Sequence, residues 1–335
     1  MDDVNQKAQI PQYNDSHYAV VDLGSNSFHL LITQRQTDHS FIAFNKVKQK
    51  VRLAAGLDAK NNLTDEAMKR GLACLTLFSQ HLKMLPLKNI IIVATATLRL
   101  ASNSDDFLIQ ANAILPKNIQ LLSGVEEAET IFLGATCGTL IQGKNTHVEP
   151  TKGKLLVLDI GGASTELIIG EGKEAKKSIS IDIGCVSFTQ RYFSKGILNQ
   201  HNFSEAIAAA SQHIKPFAQA YQALGWQHVV GNSGTIQALA EILAARKKHL
   251  QQPLANQHFD PQQSITFDFL LEIQHDLINF QHIDNIYFEG LRVDRCAVLA
   301  SGLAILIALF NCLIIDNLKL SSGALREGLL YKLSQ

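Results

Sequence analysis

Two short runs in this chain have the composition of anion-binding loops. Gly24-Ser25-Asn26-Ser27 offers four backbone N–H groups and three polar side chains. Gly161-Gly162-Ala163-Ser164-Thr165 offers five N–H groups and two hydroxyls. A phosphate needs several donors converging on it without steric bulk; glycine admits the close approach, and Ser or Thr hydroxyls add donors. One such run alone reads as an ordinary tight hairpin, whereas two matched runs argue for a shared task. Each is led by an aspartate in an Asp-Leu/Ile-Gly sequence, Asp22 and Asp159. A carboxylate there can hold Mg2+, directly or through water, beside a bound phosphate. Its plainer role would be to accept hydrogen bonds from the loop itself. A third turn, Gly231-Asn232-Ser233-Gly234-Thr235, follows an apolar run and opens a helical pattern. Helix N-termini attract anions through free N–H groups and the dipole, so Asn232, Ser233, Gly234 and Thr235 are expected substrate contacts.

The elements that must carry these loops show a distant internal repeat. VVDLGSNSFHLLI (20–32) matches VLDIGGASTELII (157–169). Each copy is an apolar strand, a polar turn and a second apolar strand, the pattern of a β-hairpin. Two such units about one domain apart predict two duplicated lobes facing each other. The spacing predicts a helix over 63–83 with Thr64 as N-cap, a buried strand over 89–95 and a helix over 104–115. It predicts a short strand over 119–122 and a helix opening at 123–130. Beyond the second hairpin, helices are expected over 203–224 and 234–245, with a strand at 228–230. Residues 246–264 are mostly polar and read as a surface excursion. A Ser-Ser-Gly turn and a short last helix close the chain.

Length and composition bound the reading. With 335 residues the chain exceeds one ordinary core and suits two α/β lobes. Lys plus Arg equals Asp plus Glu at 30 each, so the basic surplus of a nucleic-acid-binding protein is missing. The five cysteines lack any CxxC spacing, which fits reduced thiols in a cytoplasmic protein. No signal-peptide pattern opens the chain. Residues 297–315 are apolar enough to suggest a membrane span, but Ser301, Gly302 and Asn311 interrupt them, and a buried core helix is expected.

With these motifs assembled, the sequence resembles the exopolyphosphatase/guanosine pentaphosphatase (Ppx/GppA) phosphatase family. The carrying segments include VVDLGSNSFHLLI, KVKQKVRLAAGL, IIVATATLRLASN, LLSGVEEAETIFLG, LVLDIGGASTELIIG, VVGNSGTIQALAEI and LSSGALREGLL. They run in order from about Tyr18 to Tyr331. KQKVRLAAGL, VATATLRLA and DIGGASTEL are closer to the guanosine pentaphosphatase branch. The resemblance implies an α/β fold of the actin-like, sugar-kinase and Hsp70 superfold (ribonuclease H-like), with two duplicated lobes and a cleft between. Lobe I is expected at 1–127 plus 322–335, and lobe II at 128–321.

The resemblance also implies roles. Glu127 matches the carboxylate that activates water. The local sequence agrees, because Ser123-Gly-Val-Glu126 is a capping-box pattern that occupies Glu126 and leaves Glu127 to face the cleft. Arg99 matches an arginine near the transferred phosphoryl group, where an always-charged planar donor suits the transition state. Glu166 matches an acidic position after the second loop, a metal or water contact. Lys46, Lys48, Lys50 and Arg52 alternate at strand spacing, so one face would present all four to a polyanion. Two departures stand out: Ala300-Ser301-Gly302 where the family has proline before Ser/Ala-Gly, and Asn232 in the third turn. Long members of the family continue with helical domains, whereas this chain stops at Gln335, so the short two-domain form is expected and processive polyphosphate degradation is not. Family dimers form through regions missing here, which leaves a homodimer open.

The expected function is therefore hydrolysis of the terminal phosphate of guanosine pentaphosphate, with inorganic polyphosphate as the alternative substrate and Mg2+ as cofactor. Neither nucleic acid nor membrane is expected as a partner. A kinase or ATPase of the same superfold and a non-catalytic alarmone sensor are the rivals. The Ser-Gly-Val-Glu-Glu helix start, which fits a water-activating base, weighs against the first, and an intact Glu127 weighs against the second, since a pure sensor needs no base.

Overall fold

The computed structural model describes residues 12–137, 141, 153–250 and 264–335. Two sheets carry the fold. In the first, β1 (His17–Leu23) and β2 (Phe28–Arg35) form the first predicted hairpin, followed by β3 (Phe41–Gln49), β4 (Ile90–Ala94) and β5 (Gln120–Leu121). Their order is β3-β2-β1-β4-β5. The second sheet contains β6 (Lys154–Ile160), β7 (Thr165–Glu171), β8 (Glu174–Ile181), β9 (His228–Gly231), β10 (Ser264–Thr266) and β11 (Asn317–Leu320). Read from β8, its order is β8-β7-β6-β9-β11-β10. The hairpin, third strand and parallel fourth strand thus recur in the same spatial order, which is the duplicated actin-like architecture expected from the repeat. β10 is an added edge strand.

Helices cover the sheets. In the first half these are α1 (Asp65–Leu82), α2 (Ala96–Leu100), α3 (Ser104–Ile114) and α4 (Gly124–Cys137). The second half adds α5 (Cys185–Tyr192), α6 (Gln200–Leu224), α7 (Gly234–Leu250), α8 (Phe267–Phe280), α9 (Cys296–Leu313) and α10 (Leu325–Leu333). Thr64 caps α1 as predicted, its side chain accepting from the Ala67 amide. The apolar 297–315 stretch lies in α9, whose residues from Leu299 through Phe310 are all buried in the second-lobe core. It is long and apolar enough to cross a membrane, and burial of 72% of that window instead matches the core-helix expectation. One expectation is corrected. The predicted excursion at 246–264 begins later, because α7 continues to Leu250; Arg246 prolongs it by pairing with Glu272 and Asp276 of α8. The rest of that stretch, 251–263, lies outside the described residues.

Between the sheets lies a third core. It joins Val20, Leu31 and Val93 of the first sheet to Leu155, Val157, Ile168 and Val230 of the second. α4 and α10 fill it with Ile131, Phe132, Leu329 and Leu330. These two helices cross at glycines. A Cβ on Gly134 would lie 1.7 Å from the Ala324 carbonyl oxygen, and one on Gly328 would lie 1.9 Å from the Thr130 carbonyl oxygen. The close crossing fixes α4, and hence Glu127, against both sheets.

Candidate active site

The two predicted loops meet. A Cβ on Gly162 would lie 2.9 Å from the Ser25 Cβ. Each loop is gripped from behind by its carbonyls. The Ser25 and Asn26 carbonyls accept from the amides of Ala54 and Arg52. The Gly161 carbonyl accepts from the Cys185 amide, and the Gly162 carbonyl from those of Val186 and Ser187. In a trans peptide C=O and N–H point in opposite directions. Holding these carbonyls therefore turns the N–H groups of Asn26, Ser27, Gly162 and Ala163 the other way. The same grip in both lobes is what duplication of a phosphate loop would preserve.

The cleft at the loops has a volume of about 430 Å3, within the range of small-molecule sites. Gly24, Ser25, Asn26, Ser27, Gly161, Gly162 and Ser164 line it. Ala163 and Thr165 contribute no side chain to it. Ala163 packs with Ala54, Ala96 and Cys185, and the Thr165 hydroxyl donates to the Ile183 carbonyl at 2.7 Å. From the third turn, Asn232, Ser233, Gly234 and Thr235 all border the cleft. Ser233 is occupied as a helix cap, accepting from the Ile236 amide, and Thr235 packs on Gly302 of α9.

Strand register sets the remaining groups in two equivalent rows. Asp159 stands opposite Glu166, which stands opposite Ser180, across β6, β7 and β8. In the first lobe Asp22 stands opposite His29, which stands opposite Lys48, across β1, β2 and β3. The repeat has kept the leading aspartate and diverged in the next two places. One row is acidic, and the other becomes neutral, then cationic.

Glu127 reaches the cleft from the first turn of α4 and is buried. The predicted capping box is present: the Ser123 amide donates to Glu126 at 2.8 Å and the Glu126 amide to the Ser123 hydroxyl at 3.2 Å. Glu129 is exposed. Arg99 lies behind Glu127, with Nη1 2.7 Å from Oε2 and 3.0 Å from the Leu122 carbonyl oxygen. Burial raises Glu127 above the usual carboxylate range, against the pull of Arg99. Asp22 is raised to about 7, chiefly by burial and against the pull of Arg326. Asp159 is raised to about 8 by burial, then by the Glu127 and Asp22 charges. Burial, then the Glu127 and Asp159 charges, raise Glu166 well above the usual carboxylate range.

Among the described residues, no three His, Cys, Asp or Glu side chains form a ready-made metal cage. Yet Asp22 Oδ1 is buried without a partner, and four carboxylates crowd one end of the cleft. One or two carboxylates completed by water and substrate oxygens is the usual manner of Mg2+ binding. That donor set fits Mg2+ at Asp22 and Asp159, with Glu166 beside them.

The cleft lining is also cationic: Lys46, Lys48, Arg292, Arg295 and Arg326 contribute to it. The sequence pattern reached only the two lysines. The expected four-residue face is corrected: β3 ends at Gln49, and Arg52 takes a left-handed φ of 53° that breaks the alternation. Lys50 instead pairs with Asp294 at 3.4 Å. Burial and the Arg326, Lys48 and Arg295 charges hold His29 down at about 3, so it stays neutral. Arg292, Arg295 and Arg326 were missed because they come from distant parts of the chain. Arg326 is embedded in LSSGALREGLL, where only the turn and helix were legible.

The sequence profile described as the Ppx/GppA phosphatase family matches residues 31–335. A guanosine-5'-triphosphate,3'-diphosphate pyrophosphatase of Aliivibrio fischeri (strain MJ11) is 46% identical over 314 residues, 94% of this chain and 58% of its own length. Its counterpart in Vibrio parahaemolyticus is 47% identical over 316 residues, 94% of this chain and 59% of its own. The chain thus spans about three-fifths of the curated relatives it matches. An exopolyphosphatase from Cytophaga hutchinsonii superposes with a TM-score of 0.79 at 23% identity, covering 95% of this chain and 97% of that one. The Aquifex aeolicus Ppx/GppA family member superposes with a TM-score of 0.69 at 20% identity, with the same coverage of 95% and 97%. These structures share the fold, and on the matched sequence the chain belongs to the Ppx/GppA phosphatase family.

Proposed function

We propose that this chain hydrolyses the terminal phosphoanhydride of guanosine pentaphosphate, releasing phosphate and the tetraphosphate. The observation that carries the reading is the meeting of two carbonyl-gripped loops beside Glu127. The curated relatives named for this substrate support the choice over inorganic polyphosphate, which the same cleft would accept as a second substrate.

In this reading the terminal phosphoryl group lies between Gly24–Ser27 and Gly161–Ser164. N–H groups turned inward bind its oxygens and stabilise charge as the leaving oxygen departs. Glu127 orients a water for in-line attack and takes its proton; its raised pKa brings it nearer the working pH of a general base. Arg99 holds the Glu127 carboxylate in place. Lys46, Lys48, Arg292, Arg295 and Arg326 bind the remaining phosphates, so the anion lies lengthwise with its reacting end among the carboxylates. Asp22 and Asp159 would hold Mg2+, which would supply charge neutralisation on the phosphate oxygens against the repulsion of four carboxylates. The reaction is proposed to take place in the cytoplasm.

The test is phosphate release by purified protein with Mg2+, comparing guanosine pentaphosphate, long-chain polyphosphate and ATP, alongside Glu127→Ala. Release from the alarmone, lost in Glu127→Ala, is expected. Alarmone binding without release would favour a sensor, and release from polyphosphate alone would reverse the substrate order.

A further inference from the structure

Glu127 and Glu166 are both raised by burial, and the Glu127 charge adds to the rise at Glu166. Something must hold both in fixed places despite that repulsion. The contacts between them form one continuous line. Arg99 Nη1 reaches Glu127 at 2.7 Å. Its other terminal nitrogen, Nη2, donates to the Ser180 hydroxyl at 3.4 Å. Ser180 donates in turn to Glu166 Oε1 at 2.7 Å, where the Ser164 hydroxyl of the second phosphate loop also arrives at 2.6 Å.

We infer that Ser180 is a positioning residue that ties the Glu127–Arg99 pair of one lobe to Glu166 and the second phosphate loop of the other; the inference rests on the hydrolytic reading of this site. The polarity of the line closes without a spare proton. Arginine has only donors, a hydroxyl has one donor and two acceptor sites, and a carboxylate only accepts. Ser180 therefore accepts from Arg99 and spends its single proton on Glu166. Reversing the hydroxyl would set its proton against the guanidinium and leave Glu166 with one hydroxyl donor. The bond direction is thus fixed by its neighbours.

Placement supports the same conclusion. Ser180 stands directly opposite Glu166 in the β7–β8 register. It also packs on the start of α4, where a Cβ on Gly124 would lie 2.6 Å from the Ser180 Cβ. Gly124 is three positions before Glu127. The strand thus meets the helix that carries the base at the point where the base leaves it. Ser178, two positions earlier on the same strand, pairs with Ile168 and stands outside the line. In the first-lobe row the corresponding place is Lys48, which faces the substrate's anionic tail. The second lobe has a small hydroxyl there, sized to fit under Arg99.

The test compares Ser180→Ala, Ser180→Cys and Ser178→Ala by steady-state kinetics on guanosine pentaphosphate with Mg2+, and by crystal structures. Loss of one hydrogen bond to charged groups predicts a fall in kcat of about tenfold or more for Ser180→Ala, with KM within about threefold. Ser180→Cys, which keeps the volume and a weak donor, is expected between the two and serves if the alanine variant does not fold. Ser178→Ala is expected to match the unaltered protein. In the Ser180→Ala crystal, Arg99 and Glu127 should be displaced from their present contact. Unchanged kcat, an equal loss in Ser178→Ala, or Arg99 and Glu127 superposing on their original positions would each overturn the assignment. Should the unaltered protein release no phosphate, the hydrolytic reading falls instead, and the crystal comparison alone decides whether Ser180 positions the pair.

Discussion

Half-buried Arg99 and buried Glu127 form a pair in which one nitrogen serves two partners: Nη1 lies 2.7 Å from Glu127 Oε2 and 3.0 Å from the Leu122 carbonyl oxygen. The carbonyl belongs to the residue just before the capping box of α4, so the guanidinium is anchored to the same turn that presents the base. Arg99→Lys keeps the charge but loses the planar fork, and one ammonium cannot reproduce the three directions. We expect kcat to fall by about 10- to 100-fold with little change in KM. Glu127→Gln, which removes the base but keeps the shape, should cost about 100-fold or more. Initial-rate kinetics on both variants check this. A KM effect in Arg99→Lys with kcat intact would mean that Arg99 binds substrate directly rather than holding the base.

Lys48 predicts a pH effect on substrate binding. Burial, Arg295 and Arg292 lower its pKa to about 8, with Asp294 pulling the other way. A lysine is charged below its pKa, so the cationic end weakens as pH rises through about 8. KM for an anionic substrate should therefore climb above that pH. Lys48→Arg, permanently charged, should flatten the rise, while Lys48→Ala should show a raised KM already at pH 7. Profiles of KM from pH 6.5 to 9.5 read the difference.

The raised aspartates predict a pH dependence for stability. Asp22 stands at about 7 and Asp159 at about 8 in the folded protein, against an ordinary 3.8. Where the folded pKa is the higher one, the folded state binds more protons, and stability falls as pH rises. The contribution is fully present below about 4 and is lost as pH climbs through 8. In EDTA, the melting temperature should decline more steeply from pH 5 to 8.5 for the unaltered protein than for Asp159→Asn. Mg2+ binds the ionised carboxylates and should recover part of the loss at the alkaline end, by the ordinary linkage of ligand to folding. Equal slopes in both proteins would remove Asp159 from this account.

Much of this site was legible because its central parts are local. A glycine-rich turn after an apolar strand, and a serine three residues before a glutamate, each carry their geometry within a few positions. Asp22, Asp159, both loops and the choice of Glu127 over Glu126 came from such signals. The cationic end did not. Arg292, Arg295 and Arg326 reach the cleft from the start of α9 and from α10, which only the fold brings to β3. Ser180 was hidden for another reason: its partner Glu166 is fixed by strand register, and register across β7 and β8 is not written in either strand alone. Arg52 misled because strand alternation was extended past the end of β3, into a left-handed residue. Thr165 misled because a strand's side chains alternate, and its turn in the alternation faces Ile183.

The crossing of α4 and α10 predicts a coupled loss of stability and turnover. Gly134 and Gly328 face opposite carbonyls, and a Cβ at either would meet backbone at 1.7 or 1.9 Å. Backbone cannot move aside as a flexible side chain does, so the helices must separate. Gly134→Ala should destabilise by about 1–3 kcal/mol, the range of overpacked cores. The urea midpoint should fall while the slope stays unchanged. Gly328→Ala should cost a similar amount, and the double variant less than the sum, because one separation relieves both contacts. Function should follow. α4 carries Glu127 in its first turn and Gly134 two turns later, and α10 begins beside Arg326. Moving the helices apart shifts the base relative to the phosphate loops, where a displacement of about 1 Å costs on the order of 100-fold in rate. We therefore expect kcat of folded Gly134→Ala to fall, and KM to rise as well, because α10 carries Arg326. A destabilised variant with full kcat would show that Glu127 is positioned by Arg99 and the capping turn alone, with the helix crossing serving stability only.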